Sequence, residues 1–435
     1  MTISYQGRSV AVLGFGRAGR AAAEFLLRHG ARVTVYAEKA ADEREVESFR
    51  ARGADFRFGA FPPRFEESLL VRSPGIRPDI FALRASLAAG ATLTGETELF
   101  FSHCPARIIG VTGSDGKTTT ANLIAALLRG AGHTVYLGGN NGTPLLPSVD
   151  EMRPTDFAVA ELSSFQLMTL AHSPEIAVIT NITPNHLNWH ADMTEYAAAK
   201  CRIFTGGARR LILNGSCAAT RDIGAHALPP VTWFGTDAGE IVLREGESEA
   251  RFSVPDTFCL PGRHNRENLA AAYAAVRGLV PAGTPERVLK DFRGVAHRLQ
   301  YVDTVAGVAY YNSSIDTSPT RTAAALQALG GTPVVIAGGR GKGVSFLPLG
   351  DALAAHARAV YLYGEAAAEI ERAIKKRVPV CRFSLFSDAF AAAAAAAAPG
   401  DTVLLSPGCT AFDQFRDFEH RGDTFCHLVR GLHQS

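Results

Sequence analysis

The stretch "IIGVTGSDGKTTTANLI", Ile108 to Ile124, groups the residue types that hold a nucleotide's phosphates: small turn residues, then a lysine and hydroxyls opening a helix-like run. Backbone N–H groups of such a turn cradle β- and γ-phosphate oxygens, Lys117 neutralises them, and the Thr118 hydroxyl reaches Mg2+. The usual spelling of this loop puts a glycine five residues before the one that precedes the lysine. Here that position is Val111, and the glycines fall at every third residue instead: Gly110, Gly113 and Gly116.

A second glycine cluster, "GFGRAG" (Gly14, Gly16, Gly19), also follows a strand-like run and opens a helix. In a chain with 42 glycines, three so placed recur by chance roughly 0.4 times. Ala37 stands where the dinucleotide pattern expects an acid, with Glu38 beside it. A nicotinamide site, a diphosphate site for another nucleotide and a plain tight turn are all open readings. The second is favoured, because glycines at a helix N-terminus suit any pyrophosphate.

Further polar groups close apolar runs. Glu161 ends "FAVAE" and is a hard oxygen ligand for Mg2+, or one half of a buried ion pair. "NITPNHLNWH" offers His186 and His190 as metal ligands or as structural histidines. Asp192 and Glu195 resemble a capping box for the helix that contains Lys200, a lysine with no evident partner. Asn265 and Asn268 open another helix, as caps or as hydrogen-bond partners for an adenine edge. Arg298 suits a phosphate contact across a domain boundary, and Lys342 in "AGGRGKG" suits an anion clamp.

The elements that must position these groups are short β-rich runs alternating with helical stretches, the pattern of parallel α/β sheets. Three segments emerge, at 1–100, 101–296 and 297–435. In open sheets of this kind ligands sit at the carboxyl ends of strands, where every cluster above falls. A length of 435 residues requires more than one core. With 47% hydrophobic and 20% charged residues and a formal charge of +2, the chain has the make-up of a globular protein with no bulk attraction for nucleic acid. Seven scattered cysteines without a C-x-x-C pair imply reduced thiols in a cytoplasmic setting. No signal peptide opens the sequence and no apolar run reaches the roughly 18 residues of a membrane span. The alanine run Ala391–Ala398 reads as a helix stopped by Pro399-Gly400.

In order along the chain, "GFGRAG", "SPGIRP", "GVTGSDGKTTT", "GGNNGTPL", "ELSSFQL", "NITPNHLNWH", "YAAAKCRIF", "LPGRHNRENLAAA", "HRLQ", "NSSIDTSPTRT" and "LSPGCTAFDQF" resemble the Mur ligase family over essentially the whole length. The likeness is greatest to members that add D-glutamate to UDP-N-acetylmuramoyl-L-alanine. It implies a Rossmann-like UDP-sugar domain, a central P-loop ATPase with a mainly parallel sheet, and a Rossmann-like C-terminal domain for the amino acid. It further implies a step of peptidoglycan precursor synthesis, on which cell shape and division depend: ATP activates a carboxylate as an acyl phosphate, which an amine attacks.

Carried over residue by residue, the resemblance implies an ATP site at Ser114, Asp115, Gly116, Lys117, Thr118, Thr119, Thr120, Asn265, Asn268 and Arg298. Two Mg2+ sites would draw on Thr118, Glu161, His186 and a carbamylated Lys200; with Lys117 and Arg298, the last three form the catalytic set. Gly14, Gly16, Arg17, Ala18, Gly75, Asn140 and His186 match UDP-sugar contacts, and Thr317, Lys342 and Phe418 the amino-acid pocket. A monomer acting on small molecules is expected. Ser313, Ile315, Asp316, Ala411, Asn188 and Ala37 depart from the family pattern. They keep three rivals in view: a sibling ligase for another amino acid such as L-glutamate, a nicotinamide oxidoreductase, and a nucleotide-binding module without turnover.

Overall fold

The computed structural model describes residues 4–39, 42–140, 142–256, 258, 260 and 262–434; Cys259 lies outside them, and the other six cysteines are free thiols. The chain folds into three α/β domains, each built on its own sheet. By compactness it divides into two units, Met1–Pro255 with His264–Leu289, and Asp256–Arg263 with Lys290–Ser435.

The first unit holds two sheets. One comprises β1 (Ser9–Leu13), β2 (Arg32–Ala37), β3 (Asp55–Phe58), β4 (Leu69–Arg72) and β5 (Thr92–Gly95), all parallel in the order β3-β2-β1-β4-β5. The other comprises β6 (Arg107–Thr112), β7 (Val135–Gly139), β8 (Phe157–Glu161), β9 (Ile176–Ile179), β10 (Arg210–Asn214), β11 (Val231–Asp237), β12 (Glu240–Glu245) and β13 (Ser248–Ser253). Its order is β13-β12-β11-β10-β9-β6-β8-β7, parallel from β11 to β7 and antiparallel beyond. β6, β8 and β9 are apolar runs buried almost end to end, as strands covered on both faces must be. The β11–β13 meander is absent from the sequence reading. Its outer strand sets exposed polar residues against half-buried Ala250 and Phe252, and Arg251 pairs there with Asp237, Glu240 and Glu249, charges that protect an edge. One buried cluster runs through both sheets, from Val10 and Phe25 to Leu146, Ile179 and Leu213.

The second unit contains β14 (Gln300–Val305), β15 (Val308–Asn312), β16 (Val334–Gly338), β17 (Ala359–Tyr363), β18 (Val380–Phe383) and β19 (Thr402–Leu405) in the order β14-β15-β19-β16-β17-β18. Only β14 is antiparallel to its neighbour. The alanine run forms the helix Phe386–Ala396, which ends just before Pro399. Among the described residues no helix is long and apolar enough to cross a membrane.

Candidate active site

β6 runs out between β8 and β9, and its carboxyl end turns through residues 113–116 into the helix Lys117–Gly130. Two of the glycines are there for stated reasons. Gly113 has φ +148, and a Cβ would sit 1.9 Å from Thr180 Oγ1; Gly116 has φ +79, and a Cβ would sit 2.2 Å from Asn268 Oδ1. Gly116 is also the N-cap, and no side chain caps the helix. That leaves a positive helix end at the turn, the setting in which anions bind. Gly110, inside β6, lies against Pro174, so the every-third-residue spacing follows from packing and turn geometry.

The turn is fixed from behind. Ser114 Oγ donates to Thr183 O (2.9 Å), accepts from Thr183 N (2.9 Å) and meets Tyr196 OH (3.0 Å). Asn181 Oδ1 accepts from Asp115 N (3.0 Å), and Thr180 Oγ1 donates to Asp115 O. Buried Thr120 donates to Asn268 Oδ1 (3.4 Å), whose amide reaches Asn265 (3.4 Å). Of the expected ATP residues, Ser114, Thr120 and Asn268 therefore shape the loop through their side chains. Lys117 Nζ folds over the loop, donating to Gly113 O (2.9 Å) and Ser114 O (2.8 Å).

Lys200, which sequence alone would put at the surface, is 1% exposed, and its Nζ donates to the same Gly113 O (2.7 Å). Two lysine amino groups thus converge on one carbonyl. Burial first, and then the charge of Lys117, push the Lys200 amine down to about 7, with Asp115 opposing. An amine of that kind is substantially neutral near pH 7 and hence nucleophilic.

Glu161 is buried at the end of β8. Its Oε1 accepts from Asn140 Nδ2 (2.9 Å), while Oε2 is buried with no hydrogen-bond partner among the described residues. The ion-pair reading of Glu161 gains no support, whereas an unpartnered carboxylate oxygen suits a hard cation. The two histidines separate. His190 is buried, with Nε2 on Ser164 Oγ (2.9 Å) and Nδ1 3.4 Å from Glu195, a structural role. His186 has φ +55, and burial, Lys117 and Lys200 together hold its imidazole below the usual range, in the neutral form that binds metals. Among the described residues no three His, Cys, Asp or Glu side chains converge as a ready metal cage. A cation here would also need hydroxyl or lysine-derived oxygens. The expected capping box is only half formed: Asp192 caps Glu195 N, but the Glu195 carboxylate turns to Ala191 N and Arg77, because a guanidinium is the stronger partner.

A cavity of about 680 Å³ opens at the carboxyl ends of β1, β2 and β4. Gly14 and Gly75 line it; Gly16, Arg17, Ala18 and Asn140 do not. Arg17 reaches Gly142 O at 3.5 Å, and Asn140 is committed to Glu161. Gly19 is dictated by close packing, since a Cβ would fall 1.9 Å from Gly14 O, whereas one on Gly16 would meet open space. The wall also takes Arg20, Glu38, Lys39, Phe61, Ile76 and Arg77. Glu38 was visible as the acid next to Ala37, and Ile76 and Arg77 lie within "SPGIRP"; Arg20, Lys39 and Phe61 carried no sequence signal.

In the second unit, Lys342 Nζ donates to Thr317 Oγ1 (3.0 Å), uniting two of the expected amino-acid residues. Phe418 opens the helix Phe418–Gly431; its carbonyl accepts from Ser314 Oγ (2.8 Å), and its ring stands edge-on to His297. Arg298 is exposed at the start of this unit.

The description "Mur ligase middle domain" matches residues 111–276, and "Mur ligase, glutamate ligase domain" matches residues 297–409. A UDP-N-acetylmuramoylalanine--D-glutamate ligase of Ruminiclostridium cellulolyticum is 36% identical over 98% of this chain and 97% of its own length. One of Symbiobacterium thermophilum is 39% identical over 97% of this chain and 98% of its own. The chain belongs to the Mur ligase family. Its fold agrees: MurF of Acinetobacter baumannii superposes with a TM-score of 0.57 at 18% identity, covering 99% of this chain and 92% of that one. The nicotinamide and binding-module readings lose their basis.

Two departures of this Mur ligase from its family have structural roles. Ser313 Oγ accepts from Leu299 N (3.1 Å), fixing the entry to β14. Asp316 is buried and pushed up to about 6 by that burial, its carboxylate receiving Ser406 Oγ (2.8 Å), which also meets Thr322. Nothing in the structure explains Asn188. A residue that sequence reasoning missed is Arg421, which is fully buried. Its guanidinium donates to Ser314 Oγ and O, Cys409 O, Thr410 O and Tyr363 OH, at 2.9–3.3 Å. It ties the Ser314–Thr317 turn to the loop of Ala411. Arg421→Met is expected to cost on the order of 3 kcal/mol by leaving buried carbonyls unpaired, read as a lower urea midpoint; a wild-type midpoint would refute the role.

Proposed function

We propose that this Mur ligase joins D-glutamate to UDP-N-acetylmuramoyl-L-alanine at the expense of ATP, in the cytoplasmic stage of peptidoglycan precursor synthesis on which cell shape and division depend. The observation that carries the reading is end-to-end similarity, at 36–39% identity, to ligases named for that reaction. The domains would run 1–100 for the UDP-sugar, 101–296 for ATP and 297–435 for D-glutamate.

In this reading the Gly116 turn and Lys117 hold the transferred phosphoryl group, and electrostatic cover lowers the barrier between two anions. Thr118, Glu161, His186 and carbamylated Lys200 would hold Mg2+, a fit supported by the unpartnered Glu161 oxygen and the neutral imidazole of His186. When bound, Mg2+ would supply charge neutralisation between ATP and the substrate carboxylate. Asn265, Asn268 and Arg298 serve ATP, and Thr317, Lys342 and Phe418 receive the amino acid. Gly14, Gly16, Arg17, Ala18, Gly75, Asn140 and His186 serve the UDP-sugar, Gly14 and Gly75 from the cavity wall.

Ala411, buried and without a hydroxyl, makes the amino acid the point to test. ADP release with ATP, UDP-N-acetylmuramoyl-L-alanine and a panel of amino acids should be at least tenfold faster with D-glutamate than with L-glutamate or L-lysine. Equal rates would overturn the assignment.

A further inference from the structure

The wall of the cavity at β1 and β4 is fastened to the turn that bears His186 by one arginine. Arg77 lines the cavity beside Gly75 and Ile76. Its Nη2 and Nη1 donate to the two Glu195 oxygens (2.9 and 3.4 Å), and Nη1 also donates to Trp189 O. Nε and Nη2 grip Asp79 (2.9 Å each), which aims the fork. The link is reciprocal, because Trp189 lies under the guanidinium at 5.0 Å and its indole N–H donates to Gly75 O (3.3 Å).

The far ends of this link matter for the site. Trp189 N and His190 N both donate to His186 O (3.0 Å), closing the turn that keeps His186 at φ +55. A non-glycine residue persists in that region only where its surroundings over-determine it. Glu195 takes Ala191 N (2.7 Å), abuts His190, and lies in the first turn of the helix Met193–Thr205, which places Lys200. Arg72 clamps the other side: buried, it donates to Pro74 O and Ile76 O and also to Phe165 O (2.7 Å). The Phe165 ring contacts His186 at 4.9 Å and stacks on His190.

We propose that Arg77 is a positioning residue that couples occupancy of this cavity to the geometry of the His186 turn, acting through Glu195 and Trp189. The coupling rests on the reading that the cavity takes the UDP end of the substrate. A ligand that displaces Gly75 or Arg77 must move Trp189 O and the Glu195 carboxylate with them, since three hydrogen bonds of one planar group reach them while two more hold it to Asp79. Filling the sugar-nucleotide cavity would thereby set His186 for phosphoryl transfer.

The test uses the full chain labelled at histidine, with the His186 resonance assigned from the spectrum of His186→Gln, and UDP as the probe. In the wild type, UDP should shift the His186 signal along the same isotherm as calorimetric binding. In Glu195→Gln, which leaves the cavity wall intact, UDP affinity should change less than about threefold; Arg77→Lys keeps the charge but lacks the fork and alters the wall itself, so its His186 shift is read at saturating UDP. In both variants the His186 shift at saturation should fall by at least half and kcat should drop about tenfold, with KM for the UDP-substrate nearly unchanged in Glu195→Gln. Thermal melts within a few degrees of wild type would show that both variants fold. An undiminished His186 shift with wild-type kcat in both variants would overturn the coupling. Failure of UDP to bind the wild type would instead overturn the cavity reading, and the coupling with it.

Discussion

Lys117→Ala should slow ADP release by on the order of a thousandfold, the scale expected when a preorganised charge at a transferring group is lost. The effect should divide between kcat and KM for ATP, since the ammonium faces charge both in bound ATP and in the transition state. The geometry makes the loss specific. The loop is fixed by Ser114 on Thr183, by Thr180 and Asn181 on Asp115, and by Asn268 beneath Gly116, none of which needs Lys117 Nζ. What the variant gives up internally is the pair of bonds to Gly113 O and Ser114 O, each worth about 1 kcal/mol. The protein should therefore melt within several degrees of wild type while turning over almost nothing. A second signature follows from the shared carbonyl: Lys117 is one of the two causes that lower the Lys200 amine, so its removal should raise that amine's basicity. ADP release within tenfold of wild type would refute the assignment of Lys117.

That loop also shows how much a sequence can disclose. Its role was legible because a strand, a glycine turn, a lysine and threonines are adjacent in the chain, so local geometry alone brings them together. β1, β2, β6, β8, β9 and β10 were legible for a similar reason, as apolar runs ending in small or polar residues. The meander β11–β13 was not, because the apolar run of β12 is only three residues long, 241–243, between polar ones, and the outer strand β13 is an exposed, mostly polar edge. Arg421 was opaque as well, and so was the burial of Lys200, whose metal-site role came from the family resemblance and not from its pattern. A charged residue on a helix normally points to water, and only the tertiary fold shows each one buried against carbonyl oxygens. Arg77 was hidden differently: its partners, Trp189 and Glu195, lie more than a hundred residues along the chain. Sequence spacing revealed the chemistry of neighbours, but not the charges that the fold draws inward.

Lys200→Ala should reduce turnover about a hundredfold or more and, unlike Lys117→Ala, should recover in part when a short carboxylate such as acetate is added. In the proposed reading the neutral amine attacks CO2, an N–C bond forms, and one proton leaves nitrogen for solvent, so the side chain passes from neutral to anionic. The environment favours that change. Burial and Lys117 have brought the amine to about 7, and the product carbamate would face Lys117 with opposite charge. One N–H remains after the reaction, so the bond to Gly113 O can persist while the new oxygens take up the role of a ligand. The sign of the pH effect on stability is fixed by the same values. The folded-state pKa lies below that of the unfolded lysine, so between about 7 and 10.5 the unfolded chain binds more protons. This group's contribution to stability therefore rises with pH through that window, and below it the full cost of a buried ammonium is present. Removing dissolved CO2 should slow the wild type and leave the acetate-rescued Lys200→Ala variant untouched, because only the former depends on forming the carbamate. Near-normal, unaided activity of Lys200→Ala, or equal sensitivity of both proteins to CO2 removal, would rule out an anionic Lys200 as a ligand and return this lysine to the role of a loop-bracing amine on Gly113 O.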